Sequence, residues 1–184
     1  MHARRTAAGF TLVELLVSMA LAGLLLAATF TVLHAGLDAY RQGADRLDAQ
    51  QAARVALERI ATELREAGYD PRDAGLPAIV LAEPARVGLA RDLDGDGVLA
   101  PTRERVTYFL DGAVLRRDAG GGAQPIAEDV RGFALEYRDG RGAPTVDAGA
   151  VASVRIRLDV GGGGAGVIME TRAHLRNARG GGGG

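Results

Sequence analysis

The chain of 184 residues contains no cysteine and no lysine, and only two serines, Ser18 and Ser153. Without cysteine there is no disulfide, no thiol nucleophile and no thiolate metal site, so the folded part must be held by packing and hydrogen bonds alone. Without lysine, all 22 cationic side chains are arginine, set against 23 carboxylates. A balance this close to neutral excludes a bulk polyanion-binding surface and leaves only a local arginine patch open. The arginine-only set, with its abundant Ala and Gly, is ascribed to genome composition rather than to binding. Catalysis has little to work with. Neither serine has a G-x-S-x-G setting. His2, His34 and His174 lack metal-ligating partners at a usable spacing. The glycine runs lack the Lys and Ser/Thr of a phosphate loop. Nothing here spells an enzyme.

What is present is concentrated at the N-terminus. From Leu15 to Leu33 there are 19 residues without a charge and without a proline. That is long enough to cross a bilayer as a helix, at roughly 20 residues per span. One carboxylate, Glu14, stands at the head of this run. A carboxylate inside a membrane costs about 2.5–3.5 kcal/mol on insertion scales, so it reads as functional. Ahead of Phe10 lie nine residues that are basic and small, with Arg4 and Arg5 holding that end in the cytoplasm. Three readings fit: a secretory signal cut beyond its apolar core, an uncut anchor, or a cut after Gly9. The last would free an α-amino group on Phe10. Glu14 lies four residues on, one helical turn away on the same face, where it could pair with an amine of its own chain or of a neighbouring copy.

The run Gly9-Phe10-Thr11-Leu12-Val13-Glu14-Leu15-Leu16-Val17 resembles the class III leader of type IV prepilins and type II secretion pseudopilins. The resemblance implies cleavage between Gly9 and Phe10 by prepilin peptidase and N-methylation of Phe10. It also implies that Glu14 docks the subunit by facing the Phe10 amine of its neighbour. Two departures stand out. Many pilins carry a disulfide near the C-terminus, and this chain cannot. Major pilins often have a proline in the middle of the membrane helix. Its absence here points toward a minor subunit.

Beyond Leu33 the apolar character fades without a helix stop. Gly36 and Gly43 each weaken a helix by about 1 kcal/mol relative to Ala and could permit a bend. From Asp45 to Ala67 the pattern is helical, with Ala53, Leu57, Ile60, Leu64 and Ala67 drawing one apolar stripe. Gly68 is placed to cap the C-terminus, with Pro71 shortly after. A continuous helix from Thr11 to Ala67 would be about 85 Å long at 1.5 Å per residue. The stretch from Ala53 to Tyr69 further resembles the helix end of PilW-type minor pilins and J-type pseudopilins.

From Leu76 on, two-residue periods take over. Val106–Leu110 and Ala113–Arg117 flank Asp111-Gly112, a strong hairpin signal. Phe133, Leu135 and Tyr137 alternate with polar neighbours, as do Val154, Ile156, Leu158 and Val160. Gly161 to Gly166 reads as a flexible connector. A last strand has Val167, Met169, Thr171, Ala173 and Leu175 on one side and Glu170, Arg172, His174 and Arg176 on the other. The expected architecture is α+β, a long N-terminal helix laid across one antiparallel sheet. This agrees with the pilin fold that the resemblance implies.

One candidate metal site emerges. Asp92-Leu93-Asp94-Gly95-Asp96-Gly97-Val98 opens like a calcium loop, with carboxylates at alternate places, a turn glycine, and a backbone carbonyl at Val98. The closing half departs from that pattern: the twelfth place is Arg103, and the acid comes one residue late, at Glu104. The ligand set for calcium would be Asp92, Asp94, Asp96, Val98 and Glu104. An acidic Asx turn that needs no metal is the other reading.

The chain thus divides into a leader at 1–9, a transmembrane and filament-core helix at 10–34, its amphipathic continuation at 35–68, a β-rich periplasmic domain at 69–179 and a disordered glycine tail at 180–184. The resemblance implies a PilW-like minor pilin in the inner membrane that primes or caps a type IV pilus. The alternative within the class is a J-type pseudopilin of type II secretion. A monomeric membrane-anchored binding module is the rival from another class. Expected partners are prepilin peptidase, other pilin or pseudopilin subunits, the inner-membrane assembly platform and the lipid bilayer, with no nucleic acid indicated. No cofactor is required beyond the candidate calcium ion.

Overall fold

The computed structural model describes residues 10–161 and 166–177. The leader, with Gly9, the middle of the glycine connector and the C-terminal glycine tail lie outside the described residues. Contacts divide the chain into two compact units, Met1–Gly43 and Ala44–Gly184.

One helix, α1, spans Leu12–Glu66 and contributes to both units. Within the first unit its 18-residue apolar window is wholly uncovered by protein, and it is long and apolar enough to cross a membrane. Two of its polar side chains are satisfied inside the helix. The Thr29 hydroxyl donates to the Leu25 carbonyl at 2.8 Å and the Thr31 hydroxyl to Ala27 at 2.9 Å. Neither Gly36 nor Gly43 interrupts the helix.

In the second unit α1 buries Ala53, Ala56, Leu57, Ile60, Ala61 and Leu64, so the stripe read from the sequence is the core face. Burying a Leu or Ile side chain contributes about 1.5–3 kcal/mol before chain entropy is counted. The helix ends as expected at Gly68, whose φ of 76° lies in the left-handed region. A Cβ there would stand 2.8 Å from that of Ala78 and 2.9 Å from the Asn177 carbonyl, so glycine is required for space as well as for φ.

The strands are antiparallel but form two sheets rather than the single one expected. The first, in order, holds β1 (Ile79–Glu83), β2 (Arg86–Ala90), β3 (Arg105–Asp111), β4 (Val114–Asp118) and β5 (Ala123–Ala127). The second holds β6 (Val130–Asp139), β7 (Val151–Val160) and β8 (Val167–His174). The hairpin at Asp111-Gly112 joins β3 to β4. The sheets meet where β6 abuts the β1–β2 turn, through backbone contacts too few to make a ladder. The Leu135 amide donates to the Pro84 carbonyl at 2.8 Å. The Tyr137 hydroxyl donates to the carbonyls of Glu83 at 2.7 Å and Arg86 at 3.1 Å. Phe133, Leu135 and Tyr137 from β6, and Val154, Ile156 and Leu158 from β7, join the helix stripe in one core.

Candidate functional site

Two places carry the chemistry that the sequence singled out. The first is the start of α1. Thr11 precedes the first helical residue, and its carbonyl accepts from the Leu15 amide at 3.1 Å. Its side chain and that of Glu14 cap one another. The Thr11 amide donates to Glu14 Oε2 at 3.0 Å, and the Thr11 hydroxyl donates to the same oxygen at 2.9 Å. The Glu14 amide donates back to Thr11 Oγ1 at 3.3 Å. This is a reciprocal capping box, satisfying helix-end amides that have no intrahelical carbonyl. It also puts the carboxylate at the positive end of the helix dipole.

Glu14 was expected to meet an amine. In the single chain it meets Thr11. The sequence reading missed Thr11, although Thr-x-x-Glu ahead of an apolar run is the spelling of a capping box. Phe10 stands exposed just before the cap. Beyond the cap, Leu16, Leu24, Leu25 and Phe30 are also exposed. A continuous apolar surface of this kind calls for lipid or neighbouring helices to cover it.

The second place is the loop from Asp92 to Glu104. Asp92 is fully buried, and its amide donates to the Tyr69 carbonyl at 2.8 Å. Its two carboxylate oxygens accept from the amides of Gly95 at 2.6 Å and Gly97 at 2.9 Å. Asp94 and Asp96 are exposed, and each accepts from an amide two residues on, Asp96 at 3.1 Å and Val98 at 2.7 Å. Gly95 and Gly97 have φ of 74° and 82°, which lets the chain coil around Asp92. One carboxylate oxygen from each of Asp92, Asp94 and Asp96 lies within 4.8 Å of the others.

Glu104 was expected to close the loop as an oxygen ligand. It is buried, and its carboxylate accepts from backbone amides. Oε1 accepts from Leu93 at 2.8 Å and Asp94 at 3.3 Å, and Oε2 accepts from Ala100 at 2.7 Å. The amides of Ala100 and Leu93 hold its carboxyl below the usual carboxylate range, since they favour the charged form. Val98 is exposed at the rim of the loop.

His174 lies on the exposed side of β8 and His34 on the exposed surface of α1. Neither belongs to the cluster of potential metal ligands found among the described residues.

Residues 4–30 match the family model of the prokaryotic N-terminal methylation motif. No curated protein matches the chain.

Proposed function

The chain carries a type IV prepilin-like leader on a type IV pilin-like α+β architecture, and from that premise we propose that it is a PilW-like minor pilin. On this reading prepilin peptidase cuts between Gly9 and Phe10, Phe10 is methylated, and the subunit passes from the inner membrane into a filament that it primes or caps. Its C-terminal unit faces the periplasm before assembly. The inner-membrane platform and other pilin subunits are its partners.

One observation carries the reading. Residues 4–30 match the methylation motif, and the proposed cut at Gly9-Phe10 would fall immediately before an exposed apolar helix whose sole charged side chain, down to Leu33, is Glu14. An amine freed on Phe10 of a neighbour would give that carboxylate a cationic partner in a setting of low dielectric. Intact-mass and N-terminal sequencing of the protein from its own membranes test the reading. A chain beginning with methylated Phe10 supports it. A mature chain that still begins Met1-His2-Ala3 overturns it. Replacing Glu14 by Ala then separates a filament subunit from an anchored monomer. The subunit loses incorporation while staying in the membrane, and the monomer is indifferent.

The aspartate loop adds a second proposal, that it takes calcium. The converging oxygens of Asp92, Asp94 and Asp96 are the hard donors this ion prefers, and the Val98 carbonyl lies next along the loop. Glu104, whose carboxylate accepts from the Leu93, Asp94 and Ala100 amides, would hold the loop closed around the ion. Calcium when bound would supply charge neutralisation and rigidity.

A further inference from the structure

Four aspartates stand immediately before a glycine: Asp94, Asp96, Asp111 and Asp139. This pairing is chemically fragile, because glycine has no Cβ to keep its amide nitrogen away from the preceding carboxyl group. The nitrogen can bond to Cγ and close a five-membered succinimide. The amide hydrogen and one carboxyl oxygen leave as water, with a proton drawn from solvent. Water then reopens the ring at either carbonyl. One opening restores aspartate, and the other routes the backbone through the side-chain carbon as isoaspartate. Neither cofactor nor enzyme is needed, so the geometry around each pair sets its rate.

In the folded chain the four pairs are not equivalent. The attacking nitrogen must first lose its proton. At Asp94 and Asp96 the nitrogens are those of Gly95 and Gly97, which donate that proton to the buried Asp92 carboxylate at 2.6 Å and 2.9 Å. A negative charge so close opposes formation of an amide anion. The Asp94 and Asp96 carboxylates are themselves turned forward onto the amides of Asp96 and Val98. Asp139 is restrained from the other side, since its Oδ1 accepts from the Arg141 and Ala143 amides at 2.9 Å each.

Asp111 is different. Its side chain is 61 % exposed, and Arg116 Nε holds one carboxylate oxygen, Oδ2, at 2.8 Å. The Gly112 amide has no acceptor among the described residues. A Cβ on Gly112 would meet nothing within 4 Å, so a ring has room to form. Asp111 and Val114 are the last pair of the β3–β4 ladder, where local opening is cheapest.

We propose that Asp111 is a site of spontaneous backbone isomerisation, and that Asp92 keeps Asp94 and Asp96 from the same reaction. Isoaspartate adds a methylene to the backbone at the hairpin and moves the carboxylate that Arg116 holds. The turn loosens with age while the aspartate loop keeps its three acids. The inference is independent of the filament and calcium readings.

The test ages the full chain in detergent micelles at neutral pH, in heavy-oxygen water with a calcium chelator. Mass spectrometry of its fragments then locates the heavy oxygen and the isoaspartyl linkages. Asp111 should take up label roughly tenfold faster than Asp94 and Asp96, with Asp139 also lagging. In the urea-unfolded chain the four rates should converge, because each pair has the same glycine neighbour. Asp111→Glu cannot close a five-membered ring and should remove the label at that turn. Asp92→Ala should bring label to Asp94 and Asp96 while the Asp111 rate stays the same, which also reports that the variant is folded. If that variant unfolds, the comparison of the folded and unfolded native chain decides. No label at Asp111, or labelling of Asp94 and Asp96 as fast as Asp111 in the folded chain, overturns the proposal. A rate difference that persists after unfolding also overturns it, since the fold is then not its cause. Inert Asp94 and Asp96 in folded Asp92→Ala remove the role given to Asp92.

Discussion

Glu63 of α1 and Tyr108 of β3 meet across the helix–sheet boundary, the phenol donating to Oε2 at 2.8 Å. Arg117 of β4 closes on the same carboxylate, its Nε donating to Oε1 at 3.0 Å. Burial, and then the Glu63 charge, push the Tyr108 phenol above its ordinary range, so it remains a donor throughout the working pH. These three side chains lock the helix to the first sheet. Tyr108→Phe should cost about 1.5–3 kcal/mol, the scale of a hydrogen bond to a charged group. Glu63→Ala should cost more, about 3 kcal/mol or above, because it strands a largely buried guanidinium. Chemical denaturation of the full chain in micelles, read by far-UV circular dichroism, measures both. Equal and small losses would mean that packing alone fixes the helix.

The capping box predicts a division of labour. Thr11→Val removes the hydroxyl and leaves Glu14 a single amide donor, so the first turn should fray at a cost of about 1 kcal/mol. Glu14→Gln keeps hydrogen-bonding capacity and loses the charge. In a sheared-filament assay the proposed function requires Glu14→Gln to fall sharply in incorporation and Thr11→Val to fall only modestly. The reverse order would assign assembly to the cap rather than to the charge.

Glu104 predicts a pH dependence with a definite sign. Its folded-state pKa is depressed by the Ala100 and Leu93 amides. Its contribution to stability is therefore fully present above the unfolded carboxylate range, near about 4.3. It is lost as pH falls through the lower folded value. Thermal midpoints measured from neutral to acid pH should drop at the low end. Glu104→Gln should flatten that part of the profile.

Calcium should raise the melting midpoint at millimolar concentration relative to EGTA, by mass action on the folded state. Asp94→Asn, which is exposed and spares the buried Asp92, should abolish the rise while leaving the midpoint in EGTA nearly unchanged. Identical midpoints with and without calcium would assign the loop to amide satisfaction alone.

The parts of the fold that could be read from the chain are those where periodicity and chemistry agree. The stripe from Ala53 to Ala67, the stop at Gly68 and the Asp111-Gly112 hairpin all follow from local signals. So does the alternation on β6, β7 and β8. β1 and β2 fall in the strand-like stretch that begins at Leu76, but at five residues each no local signal marks them out individually. β5 follows a glycine run and contains Pro125, which argues against a strand unless it is an edge. The split into two sheets depends on which backbone amides meet, such as Leu135 with Pro84, and no local pattern encodes that. At the loop the aspartate spacing was legible, while the amides that Glu104 accepts from were not. A carboxylate that serves amides and one that serves a cation look alike in sequence.

The Thr11–Glu14 pairing bears on reversibility. If the chain is a filament subunit, it would not be stored with a starved acid, because its own threonine already attends to Glu14. On the proposed reading, entering a fibre trades one set of donors for another. Withdrawal then returns the carboxylate to a berth that re-forms by itself. What a fibre would add is charge, since a neighbour's amine is a cation whereas the threonine donors are neutral.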